Sequence, residues 1–256
     1  NKNKYDGPLG DAIKEVFREP VPGLTRSEPM FTIRVIEPFE FNRIFKLSRN
    51  LVYVVSLEGN SAADKWLQGT FSETSKQTIL NDPDRFMQTS DNQFAKGQKV
   101  LQLFGKDDNT LIKNLLDNSE VIQNYFNIAE KERLANSLRM TTASRGILNK
   151  VNDQLGISIK IPGSYELAML KDDFMWARYL PAVGPSKNLF VYVKDYKSQD
   201  EFQHDNIIKL RDEIGKKYIY GDPENPESFM ITENKYMKPV FRNINFNGSN
   251  CRRSTE

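Results

Sequence analysis

The order of the strand and helix patterns is the feature that most constrains the fold. Residues 51–57 form an almost continuous apolar run rich in β-branched side chains, which is typical of a central strand. Further stretches at 31–36, 98–104 and 157–161 predict other strands, whereas residues 111–138 repeat apolar side chains at helical spacing. Because strands and helices do not alternate regularly, the pattern favours an α+β fold, with mixed or antiparallel sheets packed against helices and a central helical segment.

Weaker patterns place the remaining elements and divide the chain near residue 155. We expect an N-terminal α+β half at 1–155, which includes the helical segment, and a C-terminal α+β half at 156–256 that is incomplete at its C-terminus. One compact domain is the alternative, because 256 residues allow either arrangement. The patterns predict helices at 8–19, 39–47, 144–155 and 200–217, strands at 65–72, 173–180, 188–196, 229–232 and 239–246, and an irregular stretch at 73–96.

The scarcity of histidine and cysteine limits the chemistry that the chain can perform. His204 and Cys251 are the single members of their residue types. One imidazole excludes a multi-histidine zinc site, and one thiol excludes an internal disulfide. The sequence also lacks a Gly-x-Ser-x-Gly motif and a glycine-rich phosphate loop. We therefore predict no catalytic site, no metal site and no cofactor from recognisable motifs.

The charge balance bears on the partners of the protein. The chain carries 36 basic and 34 acidic residues, for a net charge of +2. Nucleic-acid binding requires a concentrated basic face, so nucleic acid is not an expected partner.

Carboxylates leave one catalytic alternative open. Asp172 and Asp173 stand before an aromatic strand pattern, and paired carboxylates can perform acid and base catalysis in a glycosidase-like site. His204 precedes Asp205 and could act as a general base. Neighbouring residues in a strand point to opposite faces, however, and a turn before the strand explains the two aspartates equally. A carboxylate-based hydrolase or a glycan-binding protein therefore remains the alternative to a non-catalytic protein.

The aromatic strand pattern at 174–180 is a candidate interaction surface. Trp176 and Arg178 share one face of the predicted strand, and Tyr179 follows them. Such side chains could stack on a sugar or on a loop of a partner protein. Core packing at the edge of a sheet, or a pocket for a lipid or another small ligand, would use the same residues.

Several short motifs, taken together, resemble one protein family. They are carried by Gly7 and Gly10, Glu28 and Pro29, Arg49 and Asn50, Trp176, and Arg211, Asp212 and Gly215. In this order and spacing, the motifs resemble the domain-of-unknown-function 4837 family of Bacteroidetes-type bacteria. The family has no assigned catalytic residues, so the resemblance implies no role for these positions.

The resemblance also implies a cellular location. Members of the family look like lipoproteins, so it implies export to the bacterial cell envelope, in the outer membrane or the periplasm. The implied membrane attachment is an N-terminal lipid anchor that this chain does not contain, and a further segment is expected after Glu256. The resulting interpretation is an envelope lipoprotein, a non-catalytic module for binding proteins or assisting assembly, with other envelope proteins as partners.

Overall fold

The computed structural model divides the chain into two compact units. The first unit spans residues 1–21 and 26–135, and the second spans residues 22–25 and 136–256. The division falls inside the helix Ser119–Met140, whereas the sequence patterns indicate a boundary near residue 155. The structure describes residues 2–22, 24, 26–82, 84–222, 224–225, 227–236, 238–246 and 248–255, without the side chains of residues 2 and 3.

The first unit is built around a mixed three-stranded sheet. Strand β3 lies in the centre, parallel to β1 and antiparallel to β2. The strands are β1 (Asn50–Ser56), β2 (Met87–Asp91) and β3 (Lys99–Gly105), and the helices are α1 (Lys2–Tyr5), α2 (Pro8–Phe17), α3 (Arg43–Lys46), α4 (Ala62–Gln68), α5 (Glu73–Asn81), α6 (Asp108–Asp117) and α7 (Ser119–Met140), with a 3₁₀ turn at Pro38–Glu40.

Both faces of this sheet are covered, which explains the almost continuous apolar sequence of β1 and β3. Leu101 and Leu103 pack on one face with buried side chains of α2, α6 and α7. Phe104 and Val55 point to the other face, where they meet Ile79 of α5. The strands predicted at 51–57 and 98–104 are therefore confirmed.

Three predictions for the first unit are wrong. The predicted strand at 65–72 is replaced in its first half by α4, because Ser61 and Asp64 form a capping box that starts a helix. The stretch at 73–96 contains α5, which Ser72 caps, and strand β2. The predicted strand at 31–36 has no strand partner among the described residues.

The second unit contains two antiparallel sheets. Strands β4 (Glu166–Leu170), β5 (Phe174–Tyr179) and β6 (Lys187–Tyr192) pair in that order, and β7 (Val240–Phe246) forms a hairpin with β8 (Ser249–Thr255). The helices are α8 (Arg145–Leu155) and α9 (His204–Tyr218), with a 3₁₀ turn at Gln199–Phe202.

The core of the second unit lies between α8 and the β4–β5–β6 sheet. Ile147 and Val151 of α8 pack against Met175 and Ala177 of β5. Gly156 ends α8 in the left-handed region, at φ 66°, as its sequence position predicted. The predicted strands at 157–161 and 229–232 are wrong. The first stretch adjoins the isolated bridge Ala143–Pro162, and the second begins at Phe229, which forms an isolated bridge with Tyr220.

Taken together, the helices and small mixed or antiparallel sheets confirm the predicted α+β class. Among the described residues, no helix is both long enough and apolar enough to cross a membrane.

Candidate binding cleft

The first unit contains a cleft of about 500 Å³ beside strand β1. One wall is the outer edge of β1, and the other is the chain at 31–37, which follows α2. This volume lies within the range of ligand pockets, and such pockets are usually mostly apolar. Side chains from both sides of the sheet line the cleft, including Leu9, Ile13, Phe17 and Phe126 from the α2 side, and Ala63, Trp66 and Leu67 from α4.

The hydrogen bonds of β1 show which of its backbone groups face the cleft. The Arg49 carbonyl accepts a bond from the Lys99 N–H at 2.8 Å, and the Leu57 N–H donates to the Gly105 carbonyl at 3.0 Å. Because successive residues of a strand point their backbone groups to opposite edges, Asn50, Val52 and Val54 direct theirs away from β3. Among the described residues, the N–H and C=O groups of Val52 and Val54 have no hydrogen-bond partner.

Ser56 is the next residue of β1 whose backbone groups point away from β3, and a side chain covers it. Gln68 of α4 donates its amide N–H groups to the carbonyls of Ser56 at 2.8 Å, Leu57 at 3.1 Å and Gly59 at 2.8 Å. The free part of the edge therefore ends at Ser56, and the open stretch is centred on Val52 and Val54.

The opposite wall is fixed at its beginning and unpaired beyond it. The Phe31 N–H donates to the Phe17 carbonyl at 2.9 Å, and the Phe31 ring packs edge-on against Phe17 and Phe126. From Thr32 to Ile36 the described structure contains no backbone hydrogen bond. Thr32 and Arg34 are exposed while the residues between and after them are half-buried, which is the alternation expected of a strand. The cleft thus separates two unpaired lengths of backbone.

Phe41, Tyr53 and Trp66 form an aromatic part of the cleft lining. The Phe41 ring meets Tyr53, Trp66 and Phe94 edge-on, with centroid distances of 6.0, 6.4 and 5.9 Å. Trp66 remains 46% exposed although it is a large apolar side chain, and Ile44, which also lines the cleft, is 76% exposed. Exposed apolar side chains around a concave site are typical of a binding surface.

A buried carboxylate also lines the cleft, and it is fully engaged. The Asp64 side chain accepts hydrogen bonds from the Ser61 N–H at 3.1 Å and hydroxyl at 2.7 Å, and it lies 3.4 Å from the Lys4 ammonium. Burial alone would raise the pKa of Asp64, but the bonds from Ser61 and the charge of Lys4 outweigh it and hold the pKa below its usual value. Asp64 is therefore an ionised capping group and not a proton donor for catalysis.

The structure places the sequence-predicted carboxylates in a turn. Asp172 and Asp173 form the hairpin connection between β4 and β5, as the turn interpretation predicted. Asp172 accepts a hydrogen bond from Gln154 at 2.6 Å, whereas Asp173 binds the Lys217 ammonium at 2.9 Å and the hydroxyl of Tyr218. The bonds from Tyr218 and Lys217 lower the pKa of Asp173, which suits a structural anion better than a general acid.

His204 is also engaged in packing. Its ring stacks on Phe241 of β7 at a centroid distance of 4.2 Å, and its Nε2 atom contacts the Arg252 guanidinium. Asp205 lies in the first turn of α9. No contact in the described structure joins His204 or Asp205 to Asp172 or Asp173. Within the same residues, no group of three or more His, Cys, Asp and Glu side chains could hold a metal ion.

The predicted aromatic surface lies on β5 and is half-buried. Trp176 packs against Phe190 at 5.4 Å and donates its indole N–H to Asn188 at 2.9 Å. Arg178 follows on the same face, whereas Tyr179 points to the opposite face and packs against Tyr165 at 5.7 Å. Whether Trp176, Arg178 and Tyr179 bind a partner stays a prediction.

The N-terminal motif residues make local structural contacts. Gly7 is the N-cap of α2, and a side chain on Gly10 would overlap the Tyr5 carbonyl. The carbonyl of Glu28 accepts a backbone bond from Val21, and Pro29 forms a bridge with Pro20.

Arg49 and Asn50 attach the start of β1 to α7. Arg133 donates to the Arg49 carbonyl at 3.1 Å and to the Asn50 side chain at 3.0 Å. The Asn50 amide donates to Glu130 at 2.9 Å. This network holds the end of β1 that adjoins the cleft.

The motif in the second unit fixes the chain that follows α9. The Asp212 carboxylate accepts the Thr232 N–H at 2.7 Å, and a side chain on Gly215 would overlap the Met230 carbonyl. The third motif residue on this helix is Arg211, which is half-buried.

Comparisons with known proteins assign the two halves of the chain to two family models. Residues 1–139 match the domain of unknown function DUF8532, and residues 144–255 match the domain of unknown function DUF4837. No curated protein and no solved structure matches the chain. The motifs at Gly7, Glu28 and Arg49 thus lie in the DUF8532 match, although the sequence resemblance attributed them to DUF4837. The chain belongs to the DUF8532 family through more than half of its residues, and its residues 144–255 are a DUF4837 domain, as the resemblance predicted.

Proposed function

We propose that the protein is a non-catalytic binding module whose first unit holds an apolar part of a partner in the cleft beside β1. The observation that carries the proposal is the cleft itself, where apolar side chains surround an open strand edge. An unpaired edge is a template for pairing, and natural proteins usually cover or blunt it. Here exposed Val52 and Trp66 stand next to the edge, so the surface is suited to binding.

The state of the ionisable groups supports binding over catalysis. Asp64 and Asp173 are held ionised by their partners, and His204 is stacked on Phe241. General acid–base catalysis needs a group that can exchange a proton near the working pH. The alternative, a carboxylate-based hydrolase or a glycan-binding protein, would need at least two of the groups Asp172, Asp173, His204 and Asp205 to share one concave pocket.

A neutral apolar dye tests the cleft as a binding site. N-phenyl-1-naphthylamine should fluoresce on binding wild-type protein. The Val52→Lys variant, which places a charge at the open edge, should weaken dye binding by about tenfold or more, because a desolvated charge costs well over 1.4 kcal/mol. Val121 is a matched control, since it is 54% exposed on α7 and does not line the cleft, so Val121→Lys should bind the dye as wild type does. Equal binding by both variants would contradict the proposal.

The proposed location is the bacterial cell envelope, with attachment to the outer membrane or the periplasmic side through an N-terminal lipid and with envelope proteins as partners. The support is the family resemblance together with the DUF4837 match at residues 144–255. Fractionation of cells that produce the natural full-length protein, combined with radioactive palmitate labelling, tests this location. Label in the membrane fraction is expected, and an unlabelled protein in the cytoplasmic fraction would contradict it.

A further inference from the structure

We infer that the occupant of the cleft is an extended peptide strand from a partner polypeptide, which pairs with the open edge of β1 and lies between β1 and residues 32–36. This inference rests on the proposed binding function of the cleft and names its ligand class. It follows from three properties of the described residues, namely backbone groups, strand length and side-chain lining.

The backbone groups of the cleft match a strand and not a hydrocarbon. Val52 and Val54 direct N–H and C=O groups into it, and the backbone from Thr32 to Ile36 is unpaired on the facing wall. A buried backbone group without a partner costs about as much as a lost hydrogen bond. A peptide strand supplies donors and acceptors to both walls, whereas an acyl chain would leave both sets unpaired.

The length of the site suits a short strand. Strand β1 has seven residues, and its outer edge is free from Asn50 to Val54, because Gln68 closes it at Ser56. Binding by strand addition uses main-chain bonds for affinity and side-chain pockets for specificity.

The lining predicts the sequence of the occupant. A strand in this position would turn alternate side chains toward α2 and toward α4, since it would extend the sheet. The α2 side offers Ile13 and Phe17, and the α4 side offers Trp66 and Leu67. Both sets of the occupant's side chains would therefore meet apolar groups. The preferred ligand is a continuous apolar run, as in strands buried on both faces, and not an alternating amphipathic strand.

Synthetic peptides test the inference against the apolar dye. The probe is a lysine-flanked peptide whose Val/Ile/Leu run matches the seven residues of β1. Two control peptides have the same side chains but carry N-methyl groups on alternate amides. The first is methylated at the odd positions and the second at the even positions, so each peptide loses the N–H donors along one of its two edges. The unmethylated peptide should displace N-phenyl-1-naphthylamine, and both methylated peptides should bind about tenfold or more weakly, the effect of a few lost hydrogen bonds.

The variants locate the site, and the outcomes separate the two proposals. Val52→Lys should weaken the unmethylated peptide by about tenfold or more, and Val121→Lys should not. Equal affinity of methylated and unmethylated peptides would overturn the inference. Dye binding at the cleft without peptide binding would overturn the inference and leave the proposed function standing. Failure of both dye and peptide to bind would overturn the proposed function as well as the inference. If Val52→Lys does not fold, the comparison of methylated with unmethylated peptides on the wild-type protein still tests the inference.

Discussion

At the scale of single residues, the motif positions of this protein act through close contacts. Gly215 lets the chain at Met230 lie directly on α9, and Asp212 fixes the same chain through the Thr232 N–H. Gly10 plays the corresponding part where α2 meets Tyr5. Sequence reasoning found these residues as motifs, but it could not assign them a role because each contact joins segments that the pattern treats separately.

Substitution of Gly215 by alanine tests this explanation. The added Cβ would overlap the Met230 carbonyl, so Gly215→Ala should lower the free energy of unfolding by about 1–3 kcal/mol. Gly146 is the matched control: it lies in α8 and a Cβ there would have no neighbour within 4 Å. Gly146→Ala should leave stability unchanged or raise it by up to about 1 kcal/mol. Chemical denaturation measures both, and similar effects for the two variants would contradict the contact.

The buried Asp64 predicts a pH dependence of stability. Its pKa in the folded protein lies below the ordinary value of 3.8, so its contribution is present above that pH and is lost as pH falls through the folded pKa. Asp64→Asn should therefore cost about 1–3 kcal/mol at neutral pH and progressively less in acid. Urea unfolding at pH 7 and below pH 3.8 measures the difference. Asp117→Asn, at an exposed position of α6, should change little, and a cost of Asp64→Asn that does not depend on pH would contradict the assignment.

At the scale of elements, the sequence predicted the buried strands and long helices better than the capped short ones. The apolar run at 51–57 and the helical spacing at 111–138 reflect burial against several neighbours, which leaves a strong pattern. Helix α4 was mistaken for a strand because Trp66 and Leu67 interrupt its short polar sequence, while its cap at Ser61 and Asp64 is a weaker signal.

The cleft was harder to predict than the elements that form it. Residues 31–36 carry the alternation of a strand, yet no partner strand covers them in the described structure. The hint in the sequence was this additional strand pattern at 31–36, which no strand of the β1–β3–β2 sheet uses. A single sequence does not show which predicted strands pair with each other. The candidate surface at Trp176 was found from aromatic content and from the face that Trp176 shares with Arg178, and these signals do not distinguish packing from binding.

The contact of Gln68 with three carbonyls gives a prediction for α4. Gln68→Ala would leave the carbonyls of Ser56, Leu57 and Gly59 without this donor and should cost about 1–3 kcal/mol. Gln77→Ala, on the exposed side of α5, should have almost no effect, since a surface substitution usually changes stability by about 0.5 kcal/mol or less. Thermal unfolding of both variants measures the difference, and equal midpoints would show that Gln68 does not hold the end of β1.

At the scale of the whole molecule, the two compact units correspond closely to the two family matches. The units divide between residues 135 and 136, and the matches divide between 139 and 144. Each unit has its own buried cluster, one around Leu101 and Phe126 and one around Val151 and Met175. Units with separate cores are expected to open as separate cooperative structures.

Hydrogen exchange tests this separation with variants already described. Gly215→Ala should lower amide protection in α9 and β5 and leave β3 unchanged. Gln68→Ala should lower amide protection in β3 and leave α9 and β5 unchanged. Exchange measured by mass spectrometry on peptides from both units distinguishes them, and a loss of protection along the whole chain in either variant would mean that the protein unfolds as one unit.

The central claim is that the outer edge of β1 receives a peptide strand, and the amide exchange rates of β1 test it most directly. In the free protein, the amides of Val52 and Val54 should exchange faster than those of Tyr53 and Val55, which face β3. NMR exchange measured with the unmethylated apolar peptide should show that Val52 and Val54 become as slow as their neighbours. Peptide binding that leaves the two rates unchanged, or equally slow exchange at all four amides in the free protein, would contradict the account.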